Sequence, residues 1–483
     1  MVRLRTAAFL AGFAALSGCS LAPHYQVPDV PVAAHYQSST SWTVAAPADR
    51  LDRAGWWKLY REPRLDELEA QLIAHNHDLR AAYYHYVQSQ AFVRQARSQF
   101  YPQVSAGGEA QRARESDTRP LRSVTAPTDY NAATLGIEAD YEVDLWGRVR
   151  DTVAASKEES EAENDDLAST QLSLEVELAR AWLDLRGSDQ QIQLLEDTID
   201  ADRKALELTR KRHDGGVASE LDVARATTQL SFVQSDLTQA QAKRALLEHA
   251  IAALVGASAS DFSVAPNTEP VPLPAIPAGV PAELLQRRPD VAAAERRVAA
   301  ANSKIGVARA AYFPSLTLSA QGGFQSSIYA DLLSLPSSYW ALGSALAVYL
   351  FDGGKRRAQV QSAKAATAEA GERYRSVVLA SFKQVEDDLT LLTQLGMATT
   401  QQQQAVDAAD LSVNLALSRY RRGAVSYLEV VDAQTAALTA ERGVIDIRTR
   451  QLDANVDLIR ALGGGWRNEP VDHAKTVPIA ATR

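Results

Sequence analysis

The sequence repeats itself. "RHDGGVASELDV", Arg212 to Val223, returns as "RYRRGAVSYLEV", Arg419 to Val430, 207 residues further on. The spacing holds without a gap over a long stretch: Gly147-Arg148 falls on Gly354-Lys355, and Leu254-Val255-Gly256 falls on Ala461-Leu462-Gly463. Upstream the offset becomes 212, where "ARSQFYPQV" from Ala96 matches "ARAAYFPSL" from Ala308. A tandem duplication of about 180 to 190 residues requires two similar halves, so fold and function must be read from the repeat unit.

Prolines show what each half contains. None lies between Pro127 and Pro266, and none between Pro336 and Pro470. Both blocks are rich in Ala, Leu, Gln, Glu, Asp and Arg, which helices favour or tolerate. In the first, a 4-3-4-3 row runs Leu174, Leu178, Ala181, Leu185, Ser188, Ile192, Leu195, Ile199, Asp202, Leu206, with Leu172, Val176, Ala179 and Leu183 beside it. Two adjacent stripes suit a helix packed between two neighbours, although Ser188 and Asp202 break a simple zipper. A helix from about 150 to 213 would be roughly 95 Å long at about 1.5 Å per residue. Gly215-Gly216 then permit a left-handed turn and Ser219 is a candidate N-cap, so "DGGVAS" (near 214–219) and "RRGAVS" (near 421–426) read as the tips of two long helical hairpins.

Two candidate strands precede each hairpin: about 102–110 and 134–145 in the first repeat, and about 314–324 and 341–351 in the second. "LGIEADYEVDL" puts Leu135, Ile137, Ala139, Tyr141, Val143 and Leu145 on one face and Glu138, Asp140, Glu142 and Asp144 on the other. The pattern fits a transmembrane β-strand with lipid on one side and a lumen on the other, and equally an amphipathic strand of a soluble sheet. In the second repeat Leu316, Leu318 and Ala320 alternate, as do Leu342, Ser344, Leu346, Val348 and Leu350. Phe100-Tyr101-Pro102 and Tyr312-Phe313-Pro314 suit a membrane interface. After the first twenty residues no apolar run of 18 occurs, so a closed barrel is the remaining way across a bilayer, and four strands cannot close one.

The N-terminus "MVRLRTAAFLAGFAALSGCS" has a basic start (Arg3, Arg5), a short apolar core and "LSGC" ending at Cys19. This is the order of a signal peptide. The last four residues resemble the bacterial lipobox, which implies a lipid on Cys19 and, with Ser20 following, sorting to the outer membrane. Cys19 is also the only cysteine, so no intrachain disulfide or Cys-rich metal site exists. A single lipid modification holds weakly, so a second membrane element is expected.

Other chemistry is thinly supported. The net charge of −9 argues against nucleic acid as a partner. His75 and His77 stand two apart, on different helix faces. Gly353-Gly354-Lys355 lacks the remaining residues of a phosphate loop. Nothing marks a glycosidase acid/base pair. The expectation is no enzyme, no cofactor beyond the lipid, and no metal.

Taken with Cys19 and the "PHYQVP" that follows it, "WWKLYREPRLDELEAQLIAHNHDLRAA" from Trp56, "QRRPDVAAAERRVAAANSKIGVARAAYFPSL" from Gln286 and "RYRRGAVSYLEVVDAQ" from Arg419 make the sequence resemble the TolC-like outer-membrane factors. The branch resembled is the NodT-type lipoproteins that serve resistance-nodulation-division pumps. The resemblance implies a mainly α fold with a transmembrane β part. Three chains would form a homotrimer with a 12-stranded outer-membrane β-barrel continuous with a 12-helix periplasmic α-barrel. The expected division is a signal peptide (1–18), a lipidated belt segment (19–64), repeat 1 (65–256), a Pro-rich linker (257–281), repeat 2 (282–463) and a tail (464–483).

The implied function is a passive outer-membrane exit duct for drugs or other small toxic compounds, fed by an inner-membrane pump through a periplasmic membrane-fusion adaptor. The alternatives are a structural coiled-coil outer-membrane lipoprotein without a pore, or the duct of a protein-secretion system. Matched to the family position by position, Asp222 and Tyr420 tie neighbouring tips together, and Glu429 and Asp432 ring a periplasmic gate. Spaced i, i+3, these two carboxylates share a helix face; a solvated acidic face is the plainer reading. Val425 stands where some members have an arginine, so Arg421 or Arg422 would have to support the gate. Gly216, Val217, Ala218 and Ser219, with Gly423, Ala424, Val425 and Ser426, would meet the adaptor.

Overall fold

The computed structural model describes residues 20–31, 55–118, 127–276 and 288–464. A short 3-10 helix, Trp56–Tyr60, precedes α1 (Pro63–His75). The first copy then reads α2 (His77–Ser98), β1 (Gln103–Arg114), β2 (Asp129–Val143), α3 (Arg148–Asp214) and α4 (Glu220–Leu254). The second reads α5 (Pro289–Ala310), β3 (Ser315–Ser326), β4 (Ser338–Ala347), α6 (Lys355–Arg421) and α7 (Tyr427–Ala461). The duplication is metrically close: α3 and α6 both have 67 residues, and α4 and α7 both have 35.

The described residues fall into two compact units, each drawing segments from both copies. One lies within Met1–Asp29, His85–Asn164 and Ala293–Arg375 and contains the whole sheet. Its four strands are antiparallel in the order β1-β2-β3-β4. The register aligns the faces: Leu135, Ile137 and Ala139 stand opposite Phe324, Gly322 and Ala320 on β3 and opposite Gly108, Ala106 and Val104 on β1. On β4, Trp340, Leu342 and Leu346 join that face beside Gly322, Ala320 and Leu316. Glu138 and Asp140 fall on the opposite face with Ser105, Gln103, Gln321 and Ser319. The apolar face is bare, with Ile137 58% and Trp340 78% exposed.

Strand limits differ from the sequence reading for local reasons. β2 stops at Val143 because Asp144 turns to cap α3, accepting from the backbone N–H groups of Val149 (3.2 Å) and Arg150 (2.9 Å). Asp352 serves α6 in the same way, through Gly354 and Arg356. At the other end β2 begins at Asp129, where β1, extended to Arg114, still pairs with it. β4 begins at Ser338 and ends at Ala347, opposite the first residue of β3, so Val348–Phe351 have no partner strand among the described residues. Pro314 has no N–H to give, and β3 starts one residue later.

The residues after Cys19 are fastened to this unit. Ser20 donates to Asp151 at 2.6 Å, Asn302 donates to the Pro23 carbonyl at 2.8 Å, and Arg309 donates to the Leu21 carbonyl at 3.0 Å. Gly306 makes this contact possible: a Cβ there would meet the Asp151 carboxylate and the Ala22 nitrogen.

The second unit lies within Val30–Tyr84, Asp165–Ala292 and Ser376–Arg483. Both stripes read on α3 are buried here, including Leu178, Leu183, Leu185, Leu195 and the polar Ser188 and Asp202. The described part of the Pro-rich linker, up to residue 276, crosses the bundle as an extended strap held by side chains: Arg186 donates to the Glu269 carbonyl (2.7 Å), Arg244 to Val264 (2.7 Å) and Asn455 to Pro274 (3.0 Å). Tyr60 reaches Asn455 at 2.7 Å and Arg186 pairs with Glu62 at 3.2 Å, which packs the first short helices onto the same helices.

Candidate functional site

Both hairpin tips end α3 and α6 in the same six-residue geometry. Gly216 and Gly423 adopt φ of 73° and 78°, a region where a Cβ is strained. Gly216 and Gly423 N–H bond to the carbonyls of His213 and Tyr420, and Val217 and Ala424 N–H to those of Arg212 and Arg419. Paired i+3 and i+5 bonds of this kind form a Schellman motif, which satisfies carbonyls the helix leaves open. The same pattern recurs at Gly256 and Gly463, where α4 and α7 end.

The returning helices begin differently. Ser219 accepts from Asp222 N–H (3.2 Å), and the Asp222 carboxylate accepts from Ser219 N–H (3.3 Å) and its hydroxyl (2.9 Å), completing a capping box. Arg225 stands 3.9 Å from Asp222. Asp222 is therefore engaged within its own chain. Ser426 makes no side-chain cap bond. Val217 is exposed, as are Gly216, Ser219, Gly423, Ala424 and Ser426, whereas Ala218 is half-buried and Val425 is partly buried against the tip core.

That core joins the two hairpins: Ala205 and Leu206 of α3, Ala226 of α4, Ala416 and Tyr420 of α6, and Tyr427 and Val430 of α7. Tyr420 is buried, its hydroxyl 3.2 Å from Thr209 and its ring edge-on to Tyr427 with centroids 5.2 Å apart. Arg212 lies over the Tyr420 ring at 4.7 Å and donates to the carbonyls of Tyr420 (2.6 Å) and Arg421 (3.2 Å). One cation thus completes the end of α6 and ties it to α3.

Glu429 and Asp432 are exposed on one face of α7, with Arg419 3.4 Å from Glu429. Arg422 donates to Ser418 at 2.7 Å and Arg421 is exposed. Arg212, Thr209 and Tyr427 escaped the sequence reading because nothing local distinguishes them. Asp202 was visible there as a polar break in an apolar row, and it is buried with Gln434 donating to it at 2.8 Å. Cys19 lies outside the described residues.

The outer membrane efflux protein family matches residues 68–257 and 280–464, two segments that follow the two copies of the duplication. The chain belongs to that family. It is similar to the probable efflux pump outer membrane protein TtgC of Pseudomonas putida, 32% identical over 93% of this chain and 93% of the relative. It is also similar to the pyoverdine export outer membrane protein OpmQ of Pseudomonas aeruginosa, 32% identical over 89% of this chain and 92% of the relative. Among solved structures, the outer-membrane channel OprN superposes with a TM-score of 0.84 at 30% identity, covering 93% of this chain and all of that one. The Campylobacter jejuni CmeC channel, at 22% identity, superposes with a TM-score of 0.87 over 95% of this chain and 99% of its own and shares the fold. This protein is accordingly an efflux channel of the outer membrane, and no helix among its described residues is long and apolar enough to cross a bilayer.

Proposed function

We propose that the protein is the exit duct of a tripartite efflux pump. Three copies pool their strands into a twelve-stranded barrel in the outer membrane, and the hairpin tips form its periplasmic gate. The observation that carries this reading is the sheet: one face bare and apolar, the other polar, and two strand edges, β1 and β4, without partners among the described residues. Such edges cannot face lipid unpaired, whereas a second and third copy would close them.

A periplasmic adaptor meets the tip residues Gly216–Ser219 and Gly423–Ser426, most of which are exposed. An inner-membrane pump of the resistance-nodulation-division type supplies the energy, and the chain itself catalyses no reaction and needs no cofactor. Relatives are named for toluene, antibiotics, pyoverdine and cations, so the cargo class is drugs or other small toxic compounds, chosen by the pump. Cys19 carries the lipid. The bonds that fix Ser20 and Leu21 to α3 and α5 support this, since they hold the residue after Cys19 on the unit that contains the sheet.

At the gate, Tyr420 and Asp222 organise the tips, Arg212 supplies the cation that Val425 does not, and Glu429 with Asp432 give six carboxylates around the axis of a trimer. Rings of this kind favour cations at a constriction.

Purified full-length protein in planar bilayers tests the reading. A trimer with small resting conductance is expected; a coiled-coil lipoprotein would give none. Tyr420→Phe removes a buried bond worth about 0.5–1.5 kcal/mol and should raise resting conductance. Glu429→Ala with Asp432→Ala should weaken cation preference. Unchanged conductance in the first and unchanged selectivity in the second would sink the gate assignment.

A further inference from the structure

Among the described residues four buried polar atoms of the tip bundle have no hydrogen-bond partner: Arg212 Nε beside Tyr420, and one atom each of Asp202, Gln434 and Tyr427. Asp202 on α3 is 1% exposed; its Oδ1 accepts from Gln434 Nε2 of α7 at 2.8 Å, while its Oδ2 has no partner. The Gln434 Oε1 and the Tyr427 hydroxyl also lack partners, and these two residues stand seven apart, on one face of α7. Apart from Arg212 Nε, the inventory is two acceptors and one hydroxyl. A hydroxyl carries a single hydrogen, so these three atoms by themselves are one donor short; the Gln229 amide serves the ionised form, and for the neutral form the missing donor is on the acid itself. A proton on Asp202 Oδ2 is that donor.

The surroundings supply no competing charge. From α4 the cluster is faced by Gln229, whose Oε1 accepts from Thr435 at 3.4 Å and whose amide favours the ionised Asp202. From α7 come Tyr427 and Gln434, and from α6 Tyr420, whose hydroxyl is spent on Thr209. Among the described residues no cation is among the groups that act on Asp202. Burial pushes its carboxyl up to about 6, and burial, then Asp202 and Tyr420, raise the Tyr427 phenol.

We infer that Asp202 is a proton-operated positioning residue of the gate: protonated, it ties α7 to α3 through Gln434 and Tyr427 and holds the Tyr420–Tyr427 pair; ionised, it loosens that tie. The inference rests on the reading of the tip as the gate. An unmatched buried carboxylate is costly, whereas the protonated form completes the network. The closed tip is therefore favoured on the acid side.

The test uses the full-length trimer in planar bilayers, with conductance recorded from about pH 5 to about pH 7.5, bracketing the Asp202 titration at about 6. Infrared difference spectra across the same range read the carboxylic C=O band directly. Wild type should conduct least at acid pH, rising through a midpoint at which that band disappears. Asp202→Asn should lose both the band and the pH response, and Asp202→Glu should restore a transition. Gln434→Met removes the donor to the carboxylate and should move the midpoint to higher pH, which keeps the idea testable if Asp202→Asn fails to assemble. A wild-type pH profile in Asp202→Asn, or an unmoved midpoint in Gln434→Met, overturns the inference. If Tyr420→Phe changes conductance while Asp202→Asn keeps the wild-type profile, only the proton link is lost; if Tyr420→Phe also changes nothing, the gate reading falls with it.

Discussion

Ser219 and Ser426 occupy equivalent places in the two copies, yet only Ser219 closes a capping box: the Asp222 carboxylate turns back to Ser219, whereas Glu429, at the counterpart position, lies 3.4 Å from Arg419. Ser219→Ala should cost about 1 kcal/mol, the usual worth of an N-cap side chain, and Ser426→Ala measurably less. Melting temperatures of the two variants in detergent, compared side by side, check this asymmetry. Glu69 poses a different residue-scale problem. It is fully buried, neither carboxylate oxygen has a partner among the described residues, and burial, followed by Glu175 and Asp66, holds its carboxyl well above the usual range. The folded chain therefore keeps a proton that the unfolded chain releases near pH 4. Its contribution to stability is full below that pH and is lost as pH rises toward the folded-state value. Glu69→Gln should match wild type near pH 4 and become progressively more stable than wild type above it, by up to about 1.4 kcal/mol per pH unit until Glu69 ionises. Parallel melting curves through pH 8 would refute the assignment.

At the scale of elements, the two strand faces carry opposite expectations. Ile137 is exposed on the apolar face, so Ile137→Arg should cost about 2–4 kcal/mol near a bilayer midplane and reduce the trimer recovered from outer membranes. Glu138→Arg, on the polar face, should assemble normally and shift ion selectivity. Equal recovery on semi-native gels for both variants would mean that the strand is not inserted. The helices present the complementary case. α3 reads as a doubly striped helix because it packs against α4 and α7 through Leu195, Ile199, Val233 and Leu438, and the same stripe continues into the tip core. The sequence placed both hairpins within two residues at each tip, since Schellman glycines and N-cap serines are local signals. The strand ends were less legible. Where β2 or β4 stops depends on which residues the neighbouring strand offers and on Asp144 and Asp352 leaving the ladder to cap helices.

For the molecule as a whole, anchoring is divided between the sheet and the N-terminus. Cys19→Ser should abolish labelling by a radioactive fatty acid, because no other thiol exists to accept it, while the sheet should keep part of the protein in the outer membrane. Label persisting in the variant would refute lipidation at Cys19. The sequence by itself determined the duplication, the two hairpins, the amphipathic strands and the need for further copies to close them. Each of these is a periodicity or a turn whose physics lies within a few neighbouring residues, repeated twice at a fixed offset. Tertiary structure alone decided the polar wiring of the tip. Gln434 meets Asp202 across 232 residues and Arg212 meets Tyr420 across 208, contacts set by how α3, α6 and α7 are rotated about their own axes in the bundle. Helical spacing places a residue on a face, but packing against the partner helices chooses which side chain that face meets.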